Sequence, residues 1–270
     1  MFGYHLPMAI NQAVLLIADI GGYTRFMTVH RINLAHAQEV VARLLESIID
    51  AAGDFKLAKL EGDAAFFYSP LRGWPADVSA LGRQVADIRR AFVAEKQDMT
   101  VNRLCTCDSC MKVPDLKLKF VAHVGEVAEQ RVAGLRELAG VSVITVHRML
   151  KNNVPVPEYL LMTEPLFNAL HEDIRKFGRT SREELEGIGD AELRYLDLAE
   201  VANAIPPVLV PSKWRALRNW LRLTFRSLPY MLGLKKPCEG FRNMQEALGE
   251  GAQPPQLPEK SNPASGAQPS

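Results

Sequence analysis

The stretch Ala13–Met27, AVLLIADIGGYTRFM, constrains the fold more than any other part of the chain. Val14 to Ala18 form an unbroken apolar run that meets an acid, Asp19, followed by Ile20, a Gly-Gly pair and Tyr23-Thr24. An apolar run of this length, closed by glycines, predicts a strand buried on both faces. A carboxylate at the C-terminal end of such a strand is costly to bury unless a partner or a metal answers it. Gly21 and Gly22 permit a sharp turn and a close approach of backbone to ligand. Thr24 is placed to cap a following turn of helix. Taken alone, the stretch fits equally well a strand end whose Asp caps the next element. A second acid on a neighbouring hairpin points to a site instead, and Asp63 is that acid.

The chain has 270 residues, 47% of them hydrophobic, enough for one core of roughly 200 residues with appendages. A formal net charge of +1 gives no global reason to expect nucleic acid or an acidic partner. No apolar run approaches the ~20 residues of a membrane span. The N-terminus has no basic leader, and Asp19 interrupts its first apolar run, so a signal peptide is not expected. Four cysteines, three of them within six residues, do not make a disulfide scaffold. The expected location is therefore cytoplasmic.

Asn33–Ala52 carries apolar residues at three-four spacing and predicts an amphipathic helix closed by Gly53. Phe55–Glu61 and Ala64–Tyr68, joined through Glu61-Gly62-Asp63, read as a β-hairpin. Val78–Glu95 predicts a second helix, Leu104–Met111 a cysteine-bearing loop, and Leu116–Val124 and Glu126–Val132 two strands around Gly125. Gly140–Leu150 reads as a helix, and Tyr159–Met162 and Leu193–Leu198 complete the strands. The order β, α, ββ, α, ββ, α, β and a final β pair predicts an α+β sandwich of helices over a mixed sheet, spanning 10–200. A Pro-rich linker (201–212), a basic helical segment (213–248) and a tail rich in Pro, Gly, Ser and Gln (249–270) follow; the tail is expected to be disordered.

These pieces resemble a known family. LLIADIGGYTRF (Leu15–Phe26) resembles the first metal-binding strand of class III nucleotidyl cyclases, and KLEGDAAFFY (Lys59–Tyr68) their second. VAHVGEV (Val121–Val127) and GVSVITVHRML (Gly140–Leu150) are similar to a later strand and to the arginine-bearing helix. Within that superfamily, the Val-His-Arg helix and the cysteine loop resemble a bacterial branch known as DUF2652. The resemblance implies the nucleotide-cyclase fold, an elaboration of the ferredoxin-like βαββαβ unit. It also implies Asp19 and Asp63, with the carbonyl of Ile20, as ligands for two Mg²⁺ or Mn²⁺ ions. Triphosphate would lie against Gly21, Gly22 and Tyr23. Arg148 would stabilise charge on the α-phosphate in the transition state, while Lys59, with Glu137 as its acidic partner, would read adenine, making ATP the expected ligand and cyclic AMP the product. Because the metal acids and Lys59, Glu137 and Arg148 serve one nucleotide from two chains, a closed homodimer is implied, with Val143, Val146 and Met149 as candidate interface residues.

The chain also departs from the pattern. Ile144 stands where the ribose-orienting asparagine belongs, and an alkane cannot hydrogen-bond. Glu137 replaces an aspartate, and Val141-Ser142 an Asn-Thr pair. A catalytically silent nucleotide- or metal-binding module is therefore the alternative to a cyclase. His123, inside an apolar strand, reads as a hydrogen-bonded core histidine, and His147 as an interface or surface residue.

Two features lie outside the resemblance. Cys105, Cys107 and Cys110 form a C-x-C-x-x-C pattern that would make a tetrahedral zinc site with one more ligand, from Cys238, His123 or a second chain. Reduced or redox-active thiols are the other reading. Lys213–Leu228, KWRALRNWLRLTFRSL, has five basic residues, no acid and an apolar stripe with two tryptophans. It reads either as an interfacial anchor at the inner membrane face or a surface that docks to a partner, or as a helix packed back on the sheet with its arginines in water.

Overall fold

The apolar run Val14–Ala18 is the middle of a thirteen-residue strand, β1 (Ala9–Gly21), at the heart of an eight-stranded sheet. The computed structural model describes residues 9–29, 34–71, 78–132, 135–201, 211–232 and 234. On one side β1 pairs with β3 (Ala64–Pro70), which forms a hairpin with β2 (Lys56–Glu61). On the other side it pairs along its whole length with β4 (Lys117–Val132). Beyond β4 lie β6 (Tyr159–Thr163), β8 (Gly189–Asp197) and β7 (Arg179–Leu185), while β5 (Leu135–Ala139) adds to the far end of β4. All pairings are antiparallel except β4 with β6. The mixed sheet and the α+β class expected from the sequence are both present.

Burial of β1 on both faces follows from what covers each. Successive side chains point to opposite sides of a strand. Val14, Leu16, Ala18 and Ile20 pack with Ala37, Leu44 and Ile48 of α2 (Leu34–Asp50) and Leu81, Ile88 and Phe92 of α3 (Ser79–Val101). Ala13, Leu15 and Ile17 pack on the other face with Val146 of α5 (Val141–Arg148) and the adjoining Met149.

Several boundaries differ from the sequence reading. A short helix, α1 (Tyr23–Val29), begins before Thr24, which therefore lies inside its first turn instead of capping it. The cysteine loop contains α4 (Asp108–Lys112), and α3 runs on to Val101. The two strands expected around Gly125 are one, because Gly125 stays in register opposite Ala13. A glycine is needed there for another reason: a Cβ on Gly125 would collide with the Ser142 side chain in the first turn of α5. Between Leu166 of α6 (Glu164–Asn168) and the strands lies the rest of the larger core, with α7 (Glu172–Arg175) and α8 (Leu198–Val201) at its margin.

The basic segment forms α9 (Lys213–Met231), packed against α2. Its contacts invert the second reading given above, because arginines and a buried amide face inward. Arg222 pairs with buried Glu39 at 2.6 Å, Arg215 approaches Asp98 at 3.7 Å, and Asn219 donates to Asp98 at 3.2 Å. Asp98 also takes Arg43 and Asn102, and these hydrogen bonds and charges hold its carboxyl below the usual range despite burial. Trp214 is 81% exposed and Phe225 71%, with Leu217, Leu221 and Leu228 also open to solvent. Among the described residues no helix is long and apolar enough to cross a membrane. Most of the linker and all of 235–270, including Cys238 and the tail, lie outside the described residues.

Gly125→Ala is expected to destabilise the chain by about 1–3 kcal/mol, the usual cost of forcing atoms into a filled space. Urea unfolding followed by circular dichroism measures it, and an unchanged midpoint would mean that α5 does not sit as close to β4 as described.

Candidate functional site

Asp19 emerges where β1 leaves its apolar surroundings, with Ala64 of β3 opposite it on one side and Lys119 of β4 on the other. The hairpin turn brings up the second acid. Gly62, at φ +70°, makes a turn that other residues rarely adopt. The Ile20 N–H donates to the Asp63 carbonyl at 3.1 Å, pinning the hairpin tip to the end of β1. The two carboxyls are thereby crowded together. Burial first, and then the charge of Asp19, push Asp63 up to about 6, against smaller opposing effects from its own backbone and Lys119. Tyr23, the first residue of α1, is raised by burial and then by the charge of Asp63. Gly21 and Gly22 form the turn between them, with Gly22 at φ +86°.

Lys119 was not singled out in the sequence, yet its Nζ lies 2.7 Å from Asp19 Oδ2. Burial alone would lower the pKa of this ammonium; the hydrogen bond and charge of Asp19 outweigh that and raise it. One cation for two crowded acids leaves one negative charge uncompensated. The candidate donor set, two carboxylates and the Ile20 carbonyl near a strand end, is all oxygen and suits a hard divalent ion.

The other residues of the resemblance stand apart from this pair. Lys59 is exposed on the edge strand β2, opposite Phe66, and Glu137 lies in β5 opposite Gln130. Arg148, at the end of α5, donates to Glu186 at 2.6 Å. Among the described residues no hydrogen bond or ion pair joins Lys59, Glu137 or Arg148 to Asp19 or Asp63. His147, expected at a surface or interface, is instead a brace: its Nε2 meets Glu61 at 2.9 Å, its Nδ1 meets the Val143 carbonyl at 2.7 Å, and its ring packs edge-on against Phe66. Val146 and Met149 are fully buried in the chain's own core, so they are withdrawn from the expected interface. The outward side of α5 carries Val141 and Ile144, the latter 52% exposed.

The cysteines gather as the spacing suggested, and the structure supplies a fourth ligand that the sequence did not. His36, in the first turn of α2, places its Nδ1 3.3 Å from Cys107 Sγ, 3.6 Å from Cys105 Sγ and 4.0 Å from Cys110 Sγ. All four ligand atoms lie within 4.8 Å of one another. His36, and not His123, stands with the three cysteines; the His123 Nδ1 meets Thr163 Oγ1 at 3.1 Å, and burial pushes this ring down to about 4. Within the cluster, hydrogen bonds from Cys110 and His36 lower the Cys107 thiol, while Cys105 and Cys110 are raised.

This sheet order and hairpin define the class III nucleotide cyclase catalytic fold. The chain superposes on the adenylyl cyclase CyaB from P. aeruginosa with a TM-score of 0.54 at 12% identity, over 71% of this chain and 97% of that one. The guanylyl cyclase Cya2 gives 0.54 at 13% identity, over 70% and 93%. A class III adenylyl cyclase-like ATP-binding protein from Pseudomonas aeruginosa gives 0.52 at 18%, over 63% of this chain and 37% of that one. At such identities the likeness establishes the fold. In sequence, residues 41–159 match the model of a family described as a protein of unknown function, DUF2652. The uncharacterised protein Rv2561/Rv2562 of Mycobacterium tuberculosis (strain H37Rv) is 46% identical over 214 residues, 78% of this chain and 96% of that protein. The chain belongs to the DUF2652 family.

Because Asp63 is raised from an ordinary 3.8 to about 6, the folded chain holds a proton between those values that the unfolded chain has lost. Stability from this group is therefore present at low pH and lost as pH rises through about 6. Asp63→Asn is expected to raise the melting temperature by a few degrees at pH 7.5, to keep roughly half of that gain at pH 5 and to lose it only as pH falls to about 3.8. Millimolar Mn²⁺ should stabilise the wild type at pH 7.5 and have little effect at pH 5 or on Asp63→Asn. Equal Mn²⁺ effects on both proteins by scanning calorimetry would show that the acid pair is not the ion's site.

Proposed function

We propose that the chain is a nucleotide-binding module of cyclase fold that takes ATP with two divalent ions, Mg²⁺ or Mn²⁺, and works as a homodimer. The observation that carries this reading is the crowded Asp19–Asp63 pair beside the Gly21-Gly22 turn and Tyr23. Asp19, Asp63 and the Ile20 carbonyl would hold the ions, and the backbone of Gly21 and Gly22 would lie along the triphosphate. Such ions supply a lowered pKa at a ribose 3′-hydroxyl and charge neutralisation on the departing pyrophosphate. Lys59 and Glu137 would contact the adenine from the partner chain, and Arg148, released from Glu186, the α-phosphate. Among the described residues none of these three is bonded to the acid pair within one chain, which leaves them free to serve a shared site. Leu57, Leu60, Val141 and Ile144, exposed on β2 and α5, supply apolar surface for the contact.

Between turnover and silent binding, two observations favour binding. Lys119 already neutralises Asp19, and Ile144 offers no hydrogen bond to a ribose. The similar P. aeruginosa protein is named as cyclase-like and ATP-binding, which fits the binding reading. Calorimetry with ATP and Mn²⁺ should show binding in the wild type, about tenfold to a hundredfold weaker in Asp63→Ala, the usual loss for a charged partner. Cyclic AMP formed above the Asp63→Ala background would replace the silent reading with a phosphorus–oxygen lyase. If ATP does not bind, both readings fail.

We further propose that α9 rests on an anionic membrane surface at the inner face. It is docked by Arg222, Arg215 and Asn219, which leaves Trp214, Leu217, Leu221 and Phe225 outward beside Lys213 and Arg218 on a helix without acids. That combination fits the boundary between headgroup and acyl chain. Phosphatidylglycerol vesicles should blue-shift tryptophan emission and co-sediment the wild type, and Trp214→Ser with Phe225→Ser should abolish both. Indifference of the wild type to such vesicles would refute the anchor.

A further inference from the structure

We infer that His36, Cys105, Cys107 and Cys110 form a closed, structural zinc site that fastens the start of α2 to the excursion between α3 and β4. The inference is independent of the nucleotide reading. It rests first on geometry. A tetrahedral ion with Zn–S bonds of about 2.3 Å and a Zn–N bond of about 2.0–2.1 Å separates nitrogen from sulfur by about 3.6 Å. The three distances from His36 Nδ1 to the sulfurs, 3.3, 3.6 and 4.0 Å, centre on that separation. All four atoms face one another from two regions of the chain that lie some seventy positions apart in sequence.

Ligand chemistry selects the ion. Three thiolates and an imidazole are a soft set, suited to zinc and poorly matched to Mg²⁺ or Mn²⁺. Four protein ligands complete a tetrahedron and leave no position for water or substrate, which is the pattern of a structural site. Cys110 is buried and the other two cysteines are partly covered, so thiols held this close gain by surrendering their protons to a metal.

The site's place in the fold says what it would hold. α4, which carries Cys110, packs against α1 and α2. The carbonyl of Asp115, just beyond α4, faces Gly22, where an added Cβ would come within 3.8 Å of it. The segment that the clamp fastens therefore reaches the turn between β1 and α1. Among the described residues the hydrogen bonds between the first turn of α2 and the cysteine segment are those of the His36 cluster, whereas β1, β3 and β4 keep their ladders without the ion.

The test uses the full chain purified from zinc-supplemented cells without chelator. Elemental analysis is expected to give about one zinc per chain, and at least a fivefold lower content in Cys107→Ser and His36→Ala. Cobalt exchanged into the wild type should give the intense visible bands of a tetrahedral thiolate site. Should His36→Ala fold poorly, His36→Cys decides, since a fourth thiolate should retain the metal and shift the cobalt bands. In hydrogen exchange, removal of zinc should speed the amides of α4 and the first turn of α2 at least tenfold and leave the β2–β3 hairpin unchanged. Cys238→Ser should change none of these. Wild type carrying no zinc, or carrying iron, would overturn the inference, as would an unaltered cobalt spectrum in His36→Ala or zinc loss in Cys238→Ser.

Discussion

Two carboxylates at the mouth of a strand buried on both faces cannot stand without cations, and much of the structure is arranged around that demand. Asp19 is held because β1 is paired with β3 from Ala13 to Asp19 and with β4 along its length, and Lys119 grips its carboxyl. Asp63 is fixed because the Ile20 amide holds the hairpin tip. Register then delivers Lys119, the residue opposite Asp19 on β4, as a resident positive charge. A single ammonium balances one acid, and the remaining repulsion appears as the raised Asp63. A divalent ion would relieve what Lys119 leaves. The lysine and an ion compete for Asp19, so the strength of that ion pair sets how readily the site accepts metal.

The face of the sheet that carries the acids is closed by α5, and its placement depends on small contacts. Gly125 lets the helix approach β4 closely enough for Ser142 to lie over the strand. His147 then reaches across to Glu61, two residues before Asp63, and rests on Phe66. The helix that bears Arg148 is thus coupled to the hairpin that bears Asp63. On the opposite face the polar cluster of Arg43, Glu95, Asp98 and Asn219 joins α2, α3 and α9. Removing one member would strand a buried charge, which costs more than the pair itself contributes. α9 is therefore held by polar specificity and not by its apolar stripe.

Much of the fold was legible because the signals were local. The apolar run into Asp19, the Glu61-Gly62-Asp63 turn and the three-four spacing of α2 each specify their element within a few residues. What was missed depends on contacts distant in sequence. Nothing near Lys119 marks it, since its role is set by strand register. His36 lies some seventy residues from its cysteines, at a helix position that apolar periodicity leaves unassigned. Gly125 was read as a break, although a glycine tolerated inside a strand marks close approach of another backbone or helix as readily. Val146 and Met149 were read as interface because an apolar helix face does not say whether it meets a partner or its own sheet. The charges of α9 misled in the other direction: arginines default to water unless buried acids such as Glu39 and Asp98 await them.

The two candidate metal centres also differ in a way that keeps them from exchanging ions. Around Asp19 and Asp63 the candidate donors are hard oxygens at a strand end and a hairpin turn. Around His36 every donor but one is a sulfur, and no position is open. Hard ions that dehydrate reluctantly have little to gain from the thiolates, while a zinc ion held by three of them has little reason to leave for two partly neutralised carboxylates. α1 follows the glycine turn directly and packs against α4. A soft site that fixes the scaffold and a hard site that exchanges its ligand can then share one short helix without competing for the same metal.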